Sequence, residues 1–292
     1  MTAPFIPPPP HFPGAPAPGR PAPDLPGPPA PSVLAVCSGK GGVGKSTVAL
    51  NLAVALAGMG ERVGLLDADL HAPDIPLMLG LARKAPARSW TLARAGGFDR
   101  TPLEPVEHSG VLVMSTGFII AEDQALAWTA ELVEALLRQL LWSTRWGPLD
   151  RLVIDLPPGT SDLVQAVFRL LPGAGAVVVV TPQDAAHLDT RRMLTALRTA
   201  GGRILGGIEN MSGLDCPHCG TRISVFPPVA RERSVWAAGV PRLAEVPMDA
   251  EGAEPVVLAS PDSARGKALR AAAGAVRDAD RPGATPTVTG PG

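Results

Sequence analysis

Apolar runs of strand length alternate along this chain with longer segments of helical length. In a parallel sheet covered by helices on both faces, the strands are nearly continuous apolar runs, and the runs here have that character. The pattern predicts strands at Ser32–Cys37, Arg62–Asp67, Val111–Ser115, Arg151–Asp155, Gly175–Thr181, Ile204–Met211 and Arg242–Val246. It predicts helices near Lys45–Met59, Asp123–Leu141, Asp162–Leu171, His187–Ala200 and Ser263–Asp278. We therefore expect a three-layer α/β fold, with a mostly parallel central sheet flanked by helices on both faces.

The distribution of proline sets the expected bounds of this domain. Fourteen of the 34 prolines lie in residues 1–31, and a segment of that composition cannot bury a core. We expect residues 1–31 to be a disordered tail and residues 32–278 to form one domain. Residues 279–292 are rich in Pro, Gly and Thr and predict a second disordered tail. Residues 82–109 predict an irregular excursion within the domain.

Charge and cysteine content narrow the function classes. The formal net charge of −1 gives no indication of a nucleic-acid or membrane partner. No apolar run approaches the length of a membrane span, and the N-terminus lacks the basic region and apolar core of a signal peptide. The chain has three cysteines, so a disulfide scaffold is not expected. We expect a cytoplasmic protein, in a reducing compartment.

A glycine-rich segment from Gly39 to Ser46 holds two of the four lysines, although the chain has 26 basic residues. The segment satisfies G-x-x-x-x-G-K-[ST] between a predicted strand and a predicted helix, which is typical of a phosphate-binding loop. In such a loop the Lys reaches the β- and γ-phosphates and the hydroxyl binds Mg²⁺, here Ser46. The predicted nucleotide-binding residues are Gly39, Gly41, Gly42, Val43, Gly44, Lys45, Ser46 and Thr47. The alternative interpretation of this segment is a plain glycine-rich turn between a strand and a helix.

Polar side chains close three of the predicted strands. Asp67 and Asp69 end the second strand, Asp155 ends the fourth, and Glu209 and Asn210 end the sixth. Ligands of open α/β sheets bind outside the carboxyl ends of the strands. We therefore expect these side chains to meet at the rim that carries the phosphate loop.

Cys216 and Cys219 form a C-x-x-C in a tight turn, so that both thiolates can face one metal. One pair supplies two ligands, whereas a closed zinc site or an iron–sulfur cluster needs four. A symmetric dimer would supply the other two. His218 is a possible further ligand, but a surface His is the simpler interpretation. Cys37 is predicted to be a small buried hydrophobic residue.

Six short motifs follow one another along the chain. They are Lys40 within the phosphate loop, Asp67–Asp69, Ile154–Thr160, Thr181–Asp184, Glu209–Ser212 and Cys216–Gly220. Their order resembles that of the Mrp/ApbC-type P-loop ATPases, iron–sulfur cluster carriers of the MinD, ParA and nitrogenase-iron-protein class with its deviant Walker A loop. The resemblance covers Ser32 to about Ser263. It implies a P-loop NTPase fold, ATP hydrolysis with Mg²⁺, and a homodimer that serves apo iron–sulfur proteins together with the cluster assembly machinery.

The resemblance also implies roles for single residues. Lys40 would reach the phosphates of the partner subunit, and Asp69 would orient the attacking water, so both are predicted to be catalytic. Asp155 would hold Mg²⁺ through water, and Asn210 would contact adenine, although a turn-forming Asn is the alternative. Asp67 either caps its strand or hydrogen-bonds the loop.

For the cysteines, the resemblance implies that Cys216 and Cys219 of two subunits share a four-iron four-sulfur cluster. Two rival hypotheses remain open. One is a MinD/ParA-type positioning ATPase, which needs an amphipathic C-terminal helix or a basic face, and the other is an ATPase with a structural zinc at the C-x-x-C. The family usually has Arg-Gly-Pro after the Trp, whereas this chain has Thr129, Ala130 and Glu131 there, so it departs from the family in this stretch.

Overall fold

The computed structural model describes residues 27–70, 72–81, 102–118, 129–216, 218–249 and 254–281. In chain order its elements are β1 (Ser32–Cys37), α1 (Lys45–Gly58), β2 (Val63–Asp67), α2 (Ile75–Met78), β3 (Val106–His108), β4 (Val111–Ser115), α3 (Ala130–Trp142), β5 (Arg151–Asp155), α4 (Asp162–Leu170), β6 (Gly175–Val180), α5 (Asp184–Thr199), β7 (Arg203–Asp215), β8 (Arg222–Ile223), β9 (Arg242–Met248), α6 (Val256–Ala259) and α7 (Ala264–Ala279). Two short 3₁₀-helices lie at Thr116–Phe118 and Arg231–Arg233.

All these strands belong to one sheet, in the order β3-β4-β2-β5-β1-β6-β7-β8, with β9 also paired to β7. The seven strands β1, β2, β4, β5, β6, β7 and β9 are parallel, so their carboxyl ends meet at one rim. β3 and β8 are antiparallel additions. The register places Asp67 opposite Asp155, and Asp155 opposite Val36 next to the phosphate loop. The predicted α/β fold with a mostly parallel sheet is confirmed.

Helices cover the sheet in two groups. α1 packs against α7, and α3, α4 and α5 pack against one another in series. Strands β2, β5 and β6 are consequently buried along their whole length. Each fully buried Val, Leu or Ile contributes roughly 1.5–3 kcal/mol relative to exposure, so these apolar strands form the core. In the part of the chain that the structure describes, no helix is both long and apolar enough to span a membrane.

Hydroxyl caps fix where three helices begin. The side chains of Thr129, Ser161 and Ser263 accept backbone N–H groups in the first turns of α3, α4 and α7. Such caps satisfy donors that have no partner within the helix. Thr129 lies in the stretch where the family that this chain resembles has Arg-Gly-Pro. In this chain Thr129 caps the start of α3. Residues 127 and 128 lie outside the described residues.

The structure corrects several predicted bounds. β7 does not end at Met211 but continues to Asp215, directly before the first cysteine of the pair. Part of the predicted excursion at residues 82–109 is a strand, β3, which pairs with β4; residues 82–101 lie outside the described residues. α3 is described from Ala130 onward, so the predicted start at Asp123 also lies outside them. Tertiary contacts continue to Asp280, two residues into the segment predicted to be a tail.

An ion-pair network ties the end of α7 to the amino ends of the strands. The Asp280 side chain, 3% exposed, accepts hydrogen bonds from Ser32 Oγ and from the guanidinium groups of Arg151 and Arg203. Arg151 Nε also lies 2.7 Å from Glu61 Oε2. The arginine is thus buried between two carboxylates, which neutralise its charge.

We expect Asp280→Asn to lower the free energy of unfolding by about 2 kcal/mol, because Arg151 then keeps only one carboxylate partner in a buried setting. Urea denaturation measures the change. Glu104→Gln is the matched control, because Glu104 pairs with Arg145 at 2.6 Å but is 57% exposed. The free energy of unfolding of the control variant should fall by less than about 1 kcal/mol. Equal losses in the two variants would contradict this assignment.

Candidate nucleotide and cysteine site

The phosphate loop lies between β1 and α1, at the rim where the parallel strands end. Gly42 and Gly44 have φ angles of 77° and 80°, in the left-handed region that glycine adopts without strain. A Cβ atom on Gly44 would lie 2.2 Å from Nδ2 of Asn210, so a side chain here would displace the Asn210 amide that contacts the loop. The loop therefore has the strand–loop–helix geometry in which helix N-termini bind phosphate.

Gly39 has a packing reason to be glycine. A Cβ atom there would lie 2.2 Å from the backbone N of Thr190 in α5, and a helix backbone cannot move aside as a side chain can. At Gly41 the nearest atom to such a Cβ would be Pro158 Cγ, at 3.9 Å, which is an ordinary contact. Gly39 thus brings the loop and α5 together, and its role in binding nucleotide stays a prediction.

Lys45 is buried beside the residues predicted to hold Mg²⁺. Its Nζ donates to Asp155 Oδ1 at 2.6 Å and to Ser46 Oγ at 3.2 Å. Burial raises the pKa of Asp155, and the Lys45 ammonium opposes that rise. Among the described residues, Asp155 Oδ2 is buried without a hydrogen-bond partner. A free carboxylate oxygen next to a hydroxyl suits Mg²⁺, which prefers oxygen ligands.

Asp67 holds the segment that follows β2. Its Oδ1 accepts from the backbone N–H of Asp69 at 3.2 Å. Its Oδ2 accepts from Ile75 N at 3.2 Å and from Ser115 Oγ at 3.0 Å. Burial raises the pKa of Asp67 well above its usual value, and the nearby Asp155 charge adds to the rise. These bonds join Asp67 to the segment that follows its own strand and to Ser115, as the interpretation of Asp67 as a cap of the strand end requires.

Asp69 lies in the segment that Asp67 holds. It is 8% exposed, and its Oδ1 accepts from Ala72 N at 3.2 Å. The side chain is therefore held near the rim by the segment that follows β2. Its predicted role in orienting water stays a prediction.

Lys40 has an exposed side chain on the phosphate loop. Its backbone O accepts from Ser38 Oγ at 3.1 Å, and Ser38 O accepts from Gly159 N at 2.8 Å. These bonds tie the loop to the segment after β5, while the Lys40 ammonium lies outside the core. An exposed lysine here is available to a second molecule, which is what an action in trans requires.

Asn210 lies within β7, not in a turn, and it contacts the phosphate loop. Its Nδ2 donates to Val43 O at 2.8 Å, and the residue is 4% exposed. The next residue, Met211, has a φ of 58°, which is uncommon for a residue with a side chain. The strand bends there and then continues toward the cysteines. Contact between Asn210 and adenine stays a prediction.

The two cysteines lie in the turn that joins β7 to β8. Cys216 N donates to Thr221 O at 3.0 Å, and Gly220 N donates to Cys216 O at 2.8 Å. Cys216 is partly buried and Cys219 is exposed. The Cys219 thiol lies 3.2 Å from the Thr221 hydroxyl. Both thiols are thus held on an exposed turn, where a second molecule can reach them.

The surroundings of Cys219 and of Cys37 shift the pKa values of their thiols in opposite directions. Hydrogen bonds with Thr221, and then with the Cys216 side chain, lower the pKa of Cys219, which favours the thiolate that binds metals. Burial raises the pKa of Cys37 to about 12, so this thiol stays protonated, as its predicted buried role requires. Among the described residues, no third His, Cys, Asp or Glu joins the pair in a metal site, and His218 is exposed.

Sequence reasoning missed two supporting side chains at this rim. Ser115 bonds Asp67 and also accepts from Gly117 N at 3.0 Å. Asn51, buried in α1, donates to Thr47 O at 2.9 Å and to Glu254 Oε2 at 2.7 Å. Ser115 ends β4, so the rule that polar residues at strand ends matter would have found it. The Glu254 partner of Asn51 comes from a distant segment, and no local signal identifies it.

Comparisons with known proteins agree with this geometry. The profile of the ParA-class family described as NUBPL iron-transfer P-loop NTPase matches residues 30–277. The chain is 41% identical over 249 residues to an iron–sulfur cluster carrier protein from Synechocystis, covering 83% of this chain and 69% of the relative. It is 39% identical to one from Pyrococcus horikoshii, covering 78% of each.

Solved structures are similar as well. An ADP-bound nucleotide-binding protein from Archaeoglobus fulgidus has a TM-score of 0.61 at 35% identity, over 77% of this chain and 84% of that one. The cell-division ATPase MinD from Pyrococcus furiosus has a TM-score of 0.59 at 26% identity, over 84% and 98%. With a family match across nearly the whole described domain, the chain belongs to the NUBPL-type iron-transfer P-loop NTPases, the family of the iron–sulfur cluster carriers.

Proposed function

We propose that this protein is an ATP-hydrolysing carrier that holds an iron–sulfur cluster at Cys216 and Cys219 and passes it to apo-proteins. The observation that supports this most strongly is the course of β7. Its Asn210 contacts the phosphate loop, and the strand ends directly before Cys216. A nucleotide site and an exposed pair of thiols therefore share one strand, as expected of a carrier whose cargo site responds to nucleotide.

ATP would bind at the phosphate loop. Phosphoryl transfer to water depends on positioning and charge neutralisation more than on covalent chemistry. Lys45 would exchange its bond with Asp155 for the phosphate oxygens of ATP. Ser46 and Asp155 would hold Mg²⁺, which neutralises phosphate charge when it is bound. The orphaned Asp155 Oδ2 supports this division of roles.

Hydrolysis would require two subunits. Lys45 is buried and already bonded within its own chain, whereas Lys40 is exposed on the same loop. We infer that Lys40 enters the site of the partner subunit and neutralises charge that develops on the phosphates, as an arginine finger does. The proposed active form is accordingly a homodimer with its nucleotide sites facing each other.

Asp69→Asn should slow ATP hydrolysis about a hundredfold, on the order of 3 kcal/mol, because it removes a carboxylate that orients water. ATP affinity should change little, since the proposal assigns the phosphates to Lys45 and the Mg²⁺ to Ser46 and Asp155. Single-turnover hydrolysis and calorimetric ATP binding measure the two effects. A variant that cannot bind ATP would contradict the assignment.

The cluster is cargo and needs four thiolates. Two copies of the turn supply Cys216 and Cys219 twice, across a two-fold axis. Transfer is an exchange of ligands. Each bond between a cluster iron and a cysteine thiolate of the carrier is replaced by a bond between that iron and a thiolate of the recipient, and no electrons are gained or lost. Exposure of Cys219 favours this exchange, because an incoming thiolate can approach the shared iron atoms.

Transfer itself is the test of the proposed function. Cluster-loaded protein is mixed anaerobically with an apo-enzyme that is inactive without a four-iron cluster, and recovery of its activity is followed. We expect activation by the loaded protein, and none by the same protein loaded with zinc. A loaded protein that retains its cluster and activates nothing in the presence or absence of ATP would disprove the carrier role.

A further inference from the structure

The backbone support of the cysteine turn is short: Cys216 N donates to Thr221 O, Gly220 N donates to Cys216 O, and Leu214 pairs with Met248 of β9. The described pairing of β7 with β8 consists of Leu214 with Ile223 and Asp215 with Arg222. A two-stranded ladder of this length is marginal in water unless other groups hold it. All residues from 218 to 225 are exposed, so burial does not supply that support. The position of the thiols therefore depends on side chains near the turn.

Arg222 bridges the two strands at the base of the turn. One arm of its guanidinium, Nη1, donates to Asp215 Oδ1 at 3.1 Å. The other arm, Nη2, donates to Ser212 Oγ at 2.8 Å. The side chain thus crosses from β8 to β7 and then spans the last four residues of β7, which directly precede Cys216. A planar group with two donor arms can make both bonds at once.

Gly213 leaves the space that Arg222 occupies. A Cβ atom at Gly213 would lie 2.5 Å from Arg222 Nε and 3.1 Å from the backbone O of Ile223. Any side chain here would push the guanidinium away from β7. Glycine at position 213 therefore supports the placement of Arg222 across the end of β7, in addition to its hydrogen bonds.

We propose that Arg222 is the positioning residue of the cysteine pair, which fixes the end of β7 against β8 so that both thiols keep the separation needed to bind one metal. Its biological meaning rests on the proposed cluster-carrying function. The Arg222 and Asp215 side chains are 42% and 40% exposed, and ion pairs at such sites add little to the free energy of global unfolding. The contribution of Arg222 is therefore geometric, and a lysine, which has one point of attachment, does not replace it.

Two variants of the full chain test this inference. Arg222→Lys keeps the positive charge but removes the guanidinium with its two donor arms. Gly213→Ala keeps Arg222 but places a methyl group in the space that its guanidinium occupies. Amide hydrogen exchange at Cys216 and Gly220 is measured in the metal-free, reduced protein. Zn²⁺ affinity is measured separately, by competition with a chromogenic chelator. We expect faster exchange in both variants and about tenfold weaker Zn²⁺ binding, the usual effect of removing a group that orients metal ligands.

Arg62→Lys is the matched control, because Arg62 also makes a forked pair, with Asp150 at 3.0 and 2.7 Å, at the opposite end of the sheet. It should leave exchange in the turn and Zn²⁺ affinity unchanged, and ATP affinity should be the same in all variants. If both test variants exchanged the amides of the turn at the wild-type rate, or bound Zn²⁺ with wild-type affinity, the proposal would be wrong. The proposed function is tested separately. If the wild-type protein took up no iron and sulfide, the carrier function would be wrong, and amide exchange would still test the role of Arg222.

Discussion

Lys45→Ala should weaken ATP binding by a factor on the order of 10², whereas Lys40→Ala should leave ATP binding intact and slow hydrolysis on the order of 10³-fold. The two lysines lie in one loop and differ in their surroundings. Lys45 is buried 2.6 Å from Asp155, and we propose that its ammonium contacts the phosphates bound by its own subunit. Lys40 is exposed, and in the proposed mechanism it acts only when a partner subunit presents a second site.

Calorimetric ATP binding and steady-state hydrolysis, with protein concentration varied, measure these effects. Hydrolysis by wild-type protein should rise more steeply than linearly with concentration in the range where dimers form. Lys40→Arg is a further test, because we expect the wide planar guanidinium to replace a point charge poorly in a backbone-lined site. Equal loss of ATP affinity in Lys40→Ala and Lys45→Ala would contradict action in trans.

Cys216→Ala or Cys219→Ala should each abolish cluster binding, since a pair of subunits then retains two of the four thiolates. The loss should be nearly complete, because a four-iron cluster with two open positions is labile. ATP binding should persist in both variants, since the phosphate loop is built by β1 and α1. Iron and sulfide analysis after anaerobic reconstitution measures the effect.

Cys37→Ala is the matched control for the two cysteine variants. Cys37 is buried at the end of β1, and the elevated pKa of its thiol, about 12, leaves it unreactive near neutral pH. Cluster content should equal that of the wild type. If Cys37→Ala lost the cluster, or if a Cys216→Ala protein kept it, the thiols assigned to the cluster would be wrong.

The sequence predicted most of the fold because the apolar runs of a doubly covered parallel sheet are unambiguous. Residues 175–180, for example, are buried without a break, and the structure assigns them to β6. The sequence pattern predicts that the strand that begins at Ile204 ends at Met211. The structure instead bends the strand at Met211 and continues it to Asp215, since pairing with β8 stabilises the extra residues.

The site was predictable where the spacing of residues has a chemical meaning. The phosphate loop, the carboxylates at the strand ends and the C-x-x-C all lie at the expected rim or beside it. Contacts between distant segments were not predictable, and three of them matter most: Asn210 with Val43, Gly39 with the backbone of α5, and Arg222 across Gly213. Each depends on tertiary geometry that no local pattern records.

We propose that two subunits share one cluster through Cys216 and Cys219. Anaerobic reconstitution with iron and sulfide, followed by metal and sulfide analysis and by light scattering, distinguishes a shared cluster from a site within one subunit. We expect about four iron and four sulfide per dimer, with a dimer that persists without nucleotide, because the ligands belong to both chains. A metal-loaded monomer, or a protein that binds zinc and takes up neither iron nor sulfide, would contradict it.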